Sequence, residues 1–158
     1  MAKSHVNAGL LLLRVGVGAA LVSHGYPKLF GGEGKQAPAA LNKVYGKNFS
    51  AAVELSGPAA FAKGLEQMEI PLPELAAYAS GAAEFGGGVA LALGLATPIV
   101  APAIIFNMFV AIRKAHWANG FSGQGGFELP SLFAFIAGAL MLTGPGRYSL
   151  DYLFRRSK

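Results

Sequence analysis

The sequence contains no cysteine. This absence excludes disulfide bonds, thiolate nucleophiles and metal centres ligated by cysteine. Charged residues are also scarce: they make up 13% of the 158 residues, whereas soluble proteins carry about 25%. Hydrophobic residues reach 53%. The composition therefore favours a membrane protein, and a soluble bundle of very apolar helices is the less favoured alternative.

Recognisable metal and phosphate motifs are missing as well. The three histidines show no HxxxH or HxxE spacing, so a His/Glu metal site is a less favoured alternative. The glycine runs at 86–88 and 123–126 neither follow a strand nor end in GK[ST], which excludes a phosphate loop. The net charge is +5, but the basic residues are dispersed over loops and the C-terminus. We therefore expect no nucleic acid partner.

Four apolar stretches are present instead, each near the roughly 20 residues that cross a bilayer core of about 30 Å. Prolines and glycines stand at their ends and mark helix boundaries. These stretches predict an all-α fold, an integral membrane four-helix bundle that forms one domain over 1–158. The predicted helices cover about residues 8–24, 75–95, 98–115 and 127–143.

Residues 25–73 are predicted to form a long loop with one short extra helix at the membrane interface. That helix covers 58–68, where apolar residues recur at helical spacing after a proline. The basic end at 155–158 favours both termini on the cytoplasmic side of the inner membrane, with the chain crossing it several times. Arg14 interrupts the first apolar stretch, so we expect a retained helix there and no signal peptide.

Three polar residues are predicted to lie deep in the membrane. Arg14, Glu84 and Asn107 each lie nine or ten residues from a helix end at one face, which corresponds to roughly 14–15 Å. A charge at that depth costs about 2.5–3.5 kcal/mol on insertion scales, so we expect Arg14 to pair with Glu84. These three residues form either a polar pocket for a ligand or an ion pair that only fixes the register of the helices.

A second polar group is predicted near that face. It contains His24 and Lys28 after the first helix, Arg113 and His116 after the third, and Glu128 before the fourth. One interpretation is an interfacial belt, in which aromatic rings and long basic side chains lie at the headgroups. The other is a proton relay, because histidine titrates near neutral pH.

The chain resembles the DoxX family of small four-helix membrane proteins. The resemblance is carried by 11–32 with "HGYPK", 71–98 with a glutamate before a glycine run, and 107–151 with "GPGRYSLD". It implies a membrane bundle with cytoplasmic ends. It also implies a subunit of a membrane oxidoreductase, such as thiosulfate:quinone oxidoreductase, or a protein that handles quinones or oxidative stress with soluble redox partners. The segment at residues 33–56 departs from the family pattern, because it is longer than the short glycine-rich loop that is usual there.

The leading hypothesis is a membrane subunit of a quinone-interacting oxidoreductase, with quinone as the cofactor. Its predicted catalytic residues exchange protons, and they are Glu84, His24 and His116. Its predicted substrate-binding residues are Arg14, Lys28, Asn107, Arg113 and Glu128. One alternative is a membrane scaffold that recruits soluble redox or stress-response enzymes. Another is a small-solute or proton transporter that acts as a homo-oligomer.

Overall fold

The computed structural model describes residues 2–156, and within that range the regular structure is entirely helical. The all-α prediction is thus confirmed. A π-helical turn at Ile112–His116 and a 3-10 turn at Trp117–Asn119 follow the sixth helix. The α-helices are α1 (Ala2–Phe30), α2 (Ala39–Tyr45), α3 (Lys47–Leu55), α4 (Pro58–Gln67), α5 (Pro73–Leu93), α6 (Thr97–Ala111), α7 (Glu128–Thr143) and α8 (Leu150–Arg156).

The helices divide into two compact units. The first, the insert unit, covers residues 21–86 and contains the last part of α1, all of α2 to α4, and the first part of α5. The second, the hairpin unit, contains the chain up to Ala20 and from Gly87 onward. It holds the first part of α1, the last part of α5, and α6 to α8.

The insert unit has an apolar core to which α1, α3, α4 and α5 all contribute. Gly31 brings the end of α1 against the end of α3, because a Cβ at Gly31 would lie only 2.5 Å from Val53 O. The next residue, Gly32, donates its N–H to that same carbonyl over 2.8 Å. The buried core residues are Leu21, Phe49, Val53, Ala62 and Ala77.

The predicted loop over 25–73 is wrong, because most of this segment is helical. Residues 25–30 continue α1 through Pro27, whose carbonyl accepts from Gly31 N–H over 3.0 Å. Helix α3 forms because Phe49 and Val53 share a face and bury it in the core. The one extra helix that was predicted, at 58–68, is α4, and Pro58 occupies its first turn.

The hairpin unit is built on two antiparallel helices and the helix that follows them. The end of α5 packs on α6, since a Cβ at Gly87 would lie 3.3 Å from Ile104. Gly94 and Ala96 both adopt positive φ angles, of 65° and 50°, and so reverse the chain within a few residues. Helix α6 packs against α7. The core residues are Val17, Leu91, Ala101, Ile104, Met108, Phe133, Ala137 and Leu140.

Two helical segments in the described range are long and apolar enough to cross a bilayer, Ser4–Phe30 and Thr97–Asn119. Helix α7 is apolar but shorter, at 16 residues. Helix α5 has 21 residues, but it carries two glutamates and many glycines and alanines. The structure therefore supports two of the four predicted spans by length and composition.

Candidate functional site

Lys28 and Glu84 form an ion pair between α1 and α5. Lys28 Nζ lies 2.6 Å from Glu84 Oε1, and the two side chains are 23% and 5% exposed, respectively. The ammonium also lies 4.6 Å from the centroid of the Phe61 ring on α4, where the face of the ring attracts a cation. The pairing compensates the buried carboxylate for its lost hydration.

Two glycines let α1 and α5 approach closely enough for this pair. A Cβ at Gly25 would lie 2.8 Å from Glu84 Cβ, and a Cβ at Gly81 would lie 2.6 Å from Leu29 Cδ2. Each glycine stands three residues before one member of the pair, so glycine and charged residue share a helix face. The "HGYPK" segment thus combines a close helix contact with a lysine one turn later.

Aromatic rings accompany the pair in the insert unit. Tyr26 contacts Phe30, Phe49 and Phe85, with ring centroids between 5.0 and 5.9 Å apart. Phe30 also meets Phe85 edge-on at 5.1 Å, and its ring is exposed. Tyr45 extends the row by packing on Phe49, and burial raises the pKa of its phenol. We call these five residues the aromatic row.

The two histidines predicted to relay protons lie in different units. In the insert unit, His24 is exposed on α1, one turn before Lys28. In the hairpin unit, His116 is half-buried in the π-helical turn, and its Nδ1 donates to Gly125 O over 2.8 Å. That bond fixes the imidazole against the loop before α7. A relay role for either histidine stays a prediction.

Three other predicted residues lie on α6, on its π-helical continuation and at the start of α7. Asn107 is half-buried on α6, Arg113 is exposed in the π-helical turn, and Glu128 is exposed at the start of α7. The Arg113 guanidinium lies 5.0 Å from the Trp117 ring centroid, and Trp117 stacks on Phe127 at 5.3 Å. An arginine over an exposed tryptophan at the end of an apolar helix is what the interfacial belt interpretation expects.

Arg14 is completely buried and binds backbone carbonyls at the end of α5. Its Nη1 donates to Ala92 O over 2.9 Å and to Leu91 O over 3.5 Å, and its Nη2 donates to Tyr148 O. A cation there is favourable, because the last carbonyls of a helix carry its partial negative charge. A Cβ at Gly94 would lie 2.3 Å from Nη1, so glycine is needed beside the guanidinium.

Asp151 completes this arrangement, although it was not among the predicted site residues. Its carboxylate accepts from Ala96 N–H over 2.8 Å and from Thr97 N–H over 2.9 Å, so it caps the start of α6. Its own N–H donates to Gly94 O. Burial raises the pKa of Asp151, but hydrogen bonds from Thr97 and Ala96 together with the positive charge of Arg155 outweigh this effect and hold the pKa below its usual value. We call Arg14, Gly94 and Asp151 the turn cluster.

The charged residues predicted to pair with each other have other partners. Glu84 is paired with Lys28, and Arg14 lies at the end of α5 rather than halfway along it. The depth count failed because α1 does not end near His24 but continues to Phe30. The expected Arg14–Glu84 pair is therefore replaced by two arrangements, one in each unit.

The described residues contain no group of three or more His, Asp or Glu side chains that could hold a metal ion. The insert unit does contain an open groove of about 480 Å³ between α4 and the start of α5. Its polar lining side chains are Lys63, Glu66, Glu74 and Tyr78.

Comparison with known protein families identifies the family of this chain. The family model of DoxX matches residues 9–117, which is more than half of the chain. The chain belongs to the DoxX family. No curated protein and no solved structure matches it. As a member of this family it is a membrane protein and contacts the lipid bilayer, which agrees with its two long apolar helices. The match includes Lys28 and Glu84, while Asp151 lies beyond it.

Proposed function

We propose that this DoxX protein is the membrane subunit of a quinone-interacting oxidoreductase, folded as a four-helix membrane bundle. The observation that carries the proposal is the Lys28–Glu84 pair, which places an acid and a cation on two packed helices. Glu84 is almost fully buried, whereas Lys28 remains partly exposed. Ionisable residues in apolar helices are costly, and they commonly mark the site where such a protein acts.

The residues around the pair match the chemical needs of a quinone headgroup, which takes up protons together with electrons and accepts hydrogen bonds at its carbonyls. An ammonium carries three N–H donors, and Glu84 occupies one of those on Lys28. The Glu84 carboxylate can hold and release a proton next to it. The exposed ring of Phe30 in the aromatic row offers an apolar surface.

Binding should be tested with a short-chain benzoquinone and a naphthoquinone on detergent-purified protein. We expect saturable binding by the wild type. Lys28→Met removes a charged hydrogen bond worth about 1.5–3 kcal/mol, so its Kd should rise about tenfold or more. Lys63→Met on α4 is the control, because Lys63 is exposed outside the pair. A folded wild type that binds neither quinone would contradict the proposal.

Lys28→Met leaves a buried carboxylate without this partner and therefore risks unfolding. Glu84→Gln avoids this problem, since the amide keeps the size of the side chain and still accepts from Lys28. We expect this variant to bind quinone and to lose proton-coupled quinol turnover with its partner subunit. Glu74→Gln, at the exposed start of α5, is the matched control. Full turnover by Glu84→Gln would remove Glu84 from the reaction.

A second candidate is a scaffold that recruits soluble redox enzymes through α2 and α3. It is favoured by the exposure of α2, which buries no residue and carries Val44, a side chain that is 75% exposed. Deletion of 33–56 is not a suitable test, because it removes Phe49 and Val53 from the core. Val44→Asp leaves the core intact and should release a scaffolded enzyme in a pull-down, whereas unchanged capture would argue against this role.

A further inference from the structure

A separate recess lies in the hairpin unit where three helices end. It has a volume of about 220 Å³ and lies between the start of α1, the end of α7, the 144–147 turn and α8. Neither the quinone proposal nor the scaffold proposal uses it. The polar side chains that line it belong to Asn7, Thr143, Arg147, Asp151, Tyr152 and Arg155.

Arg147 is held in place at this recess by three contacts. Its backbone N–H donates to Asn7 Oδ1 over 2.7 Å, and its Nε donates to the Tyr152 hydroxyl over 3.1 Å. Its guanidinium also lies 5.4 Å from the Tyr152 ring centroid. A guanidinium has five N–H donors, and the tyrosine takes one of them. The arginine is thus oriented before any ligand arrives, which lowers the entropic cost of binding one.

The balance of charge in the recess is positive. Arg147 and Arg155 line it together with one acid, Asp151. Both carboxylate oxygens of Asp151 already accept from backbone amides at the start of α6. Its charge is therefore partly offset by the positive end of that helix, and Arg155 also interacts with it. With two arginines against one acid, the recess keeps a net positive charge that attracts an anion.

The recess lies at the ends of apolar helices. Asn7 is near the start of the long apolar segment Ser4–Phe30, and Thr143 is the last residue of α7. The ends of membrane-spanning helices lie at the level of the lipid headgroups. Helix α8 is amphipathic, because Leu150, Leu153 and Phe154 share one side of the helix and its arginines lie outside that side. Leu153 and Phe154 are exposed. Such a helix is typical of an interfacial position.

We propose that this recess binds a phosphate group, either that of an anionic lipid headgroup or free phosphate. Arginine is suited to this ligand because its planar N–H groups match two phosphate oxygens at once. In this assignment Arg147 and Arg155 hold the phosphate, and Tyr152 holds Arg147 in position.

The test measures the unfolding temperature of detergent-purified protein during titration with phosphatidylglycerol. Phosphatidylcholine serves as the net-neutral lipid, and sodium phosphate is compared with sodium chloride at equal ionic strength. The variants are Arg147→Gln and Arg155→Gln. Arg155→Gln keeps the Arg147–Tyr152 contact, so it remains informative if Arg147→Gln unfolds. Arg156→Gln is the matched control, because Arg156 is exposed on α8 and does not line the recess.

We expect phosphatidylglycerol, but not phosphatidylcholine, to stabilise the wild type, with an affinity that falls about fivefold for each arginine removed. Arg156→Gln should keep the wild-type affinity. Stabilisation by sodium phosphate that depends on the same two arginines supports the site with free phosphate as its ligand. The proposal is overturned if neither ligand stabilises the protein, if both lipids act equally, or if Arg156→Gln weakens binding as much as Arg155→Gln.

Discussion

Replacing Arg14 with methionine removes the guanidinium from the turn cluster while keeping a long apolar side chain in its place. Arg14 is 0% exposed. It joins the end of α5 to the segment before α8 through the carbonyls of Ala92 and Tyr148. After the substitution both carbonyls lose their donor in a partly buried position, so we expect the hairpin unit to become less stable.

The size of the loss follows from these contacts. A fully buried carbonyl without its donor costs about 1–3 kcal/mol, and because these two are only partly buried, about 2–6 kcal/mol is the upper bound for the pair. Part of this is recovered, because the substitution also removes a buried charge and its Nε, which has no hydrogen bond within residues 2–156. The net loss should be about 2–4 kcal/mol, which for a chain of this length lowers the unfolding temperature by about 4–16 °C.

The assay is thermal unfolding in detergent, followed by the fluorescence of the single tryptophan, Trp117. Arg14→Lys should fall between the wild type and Arg14→Met, because one ammonium cannot match the two-pronged guanidinium. Arg156→Met on the exposed face of α8 is the control and should change little. If Arg14→Met shifts the unfolding temperature no more than this control does, the assigned role of Arg14 is refuted.

Three further substitutions test other parts of the fold by the same measurement. Gly25→Ala should destabilise by about 1–3 kcal/mol, because its Cβ would meet the backbone of α5, and Gly16→Ala, on the same helix with open space beside it, should not. Val53→Ala should cost about 1–3 kcal/mol, and exposed Val44→Ala almost nothing. Asp151→Asn should cost about 1 kcal/mol at neutral pH, because the amide has one acceptor oxygen for the two backbone N–H groups. Because the folded-state pKa of Asp151 is lowered, its contribution is present above the usual carboxyl pKa and is lost as the pH falls through the folded value. The difference from wild type should therefore shrink on acidification, and a constant difference would contradict this assignment.

The sequence was sufficient to predict those helices whose ends are marked by nearby prolines, glycines or apolar spacing. Helices α5 and α6 lie within a few residues of their predicted ranges, because prolines begin them and a glycine-containing turn separates them. The extra helix at 58–68 was also found, as its apolar spacing and Pro58 are local signals. Helices α2 and α3 were missed because the segment that contains them is rich in glycine, proline and polar residues, which indicate a loop, and α2 buries no residue.

The partners of the buried charges could not be predicted in the same way. Counting residues along a helix gives a depth only if the helix ends are known, and Pro27 suggested an end that α1 does not have. Nor does the sequence show that a side chain will bind main-chain carbonyls of another helix, as Arg14 does. Asp151 is the last residue of "GPGRYSLD", which carried part of the family resemblance. Its hydrogen-bond partners could not be predicted, because they are backbone amides, which every residue type except proline has.

The turn cluster and the Lys28–Glu84 pair show two different roles for a buried charge in an apolar helix. Arg14 donates to backbone carbonyls at the end of a helix and is closed to solvent, so it stabilises the hairpin unit without being reachable by a ligand. Lys28 is 23% exposed and pairs with a carboxylate whose charge depends on protonation, so a ligand can contact it directly. A loss of quinone binding would therefore have a different cause in each case. In Arg14→Met it should disappear once binding is expressed per folded molecule, whereas in Lys28→Met it should remain after that correction.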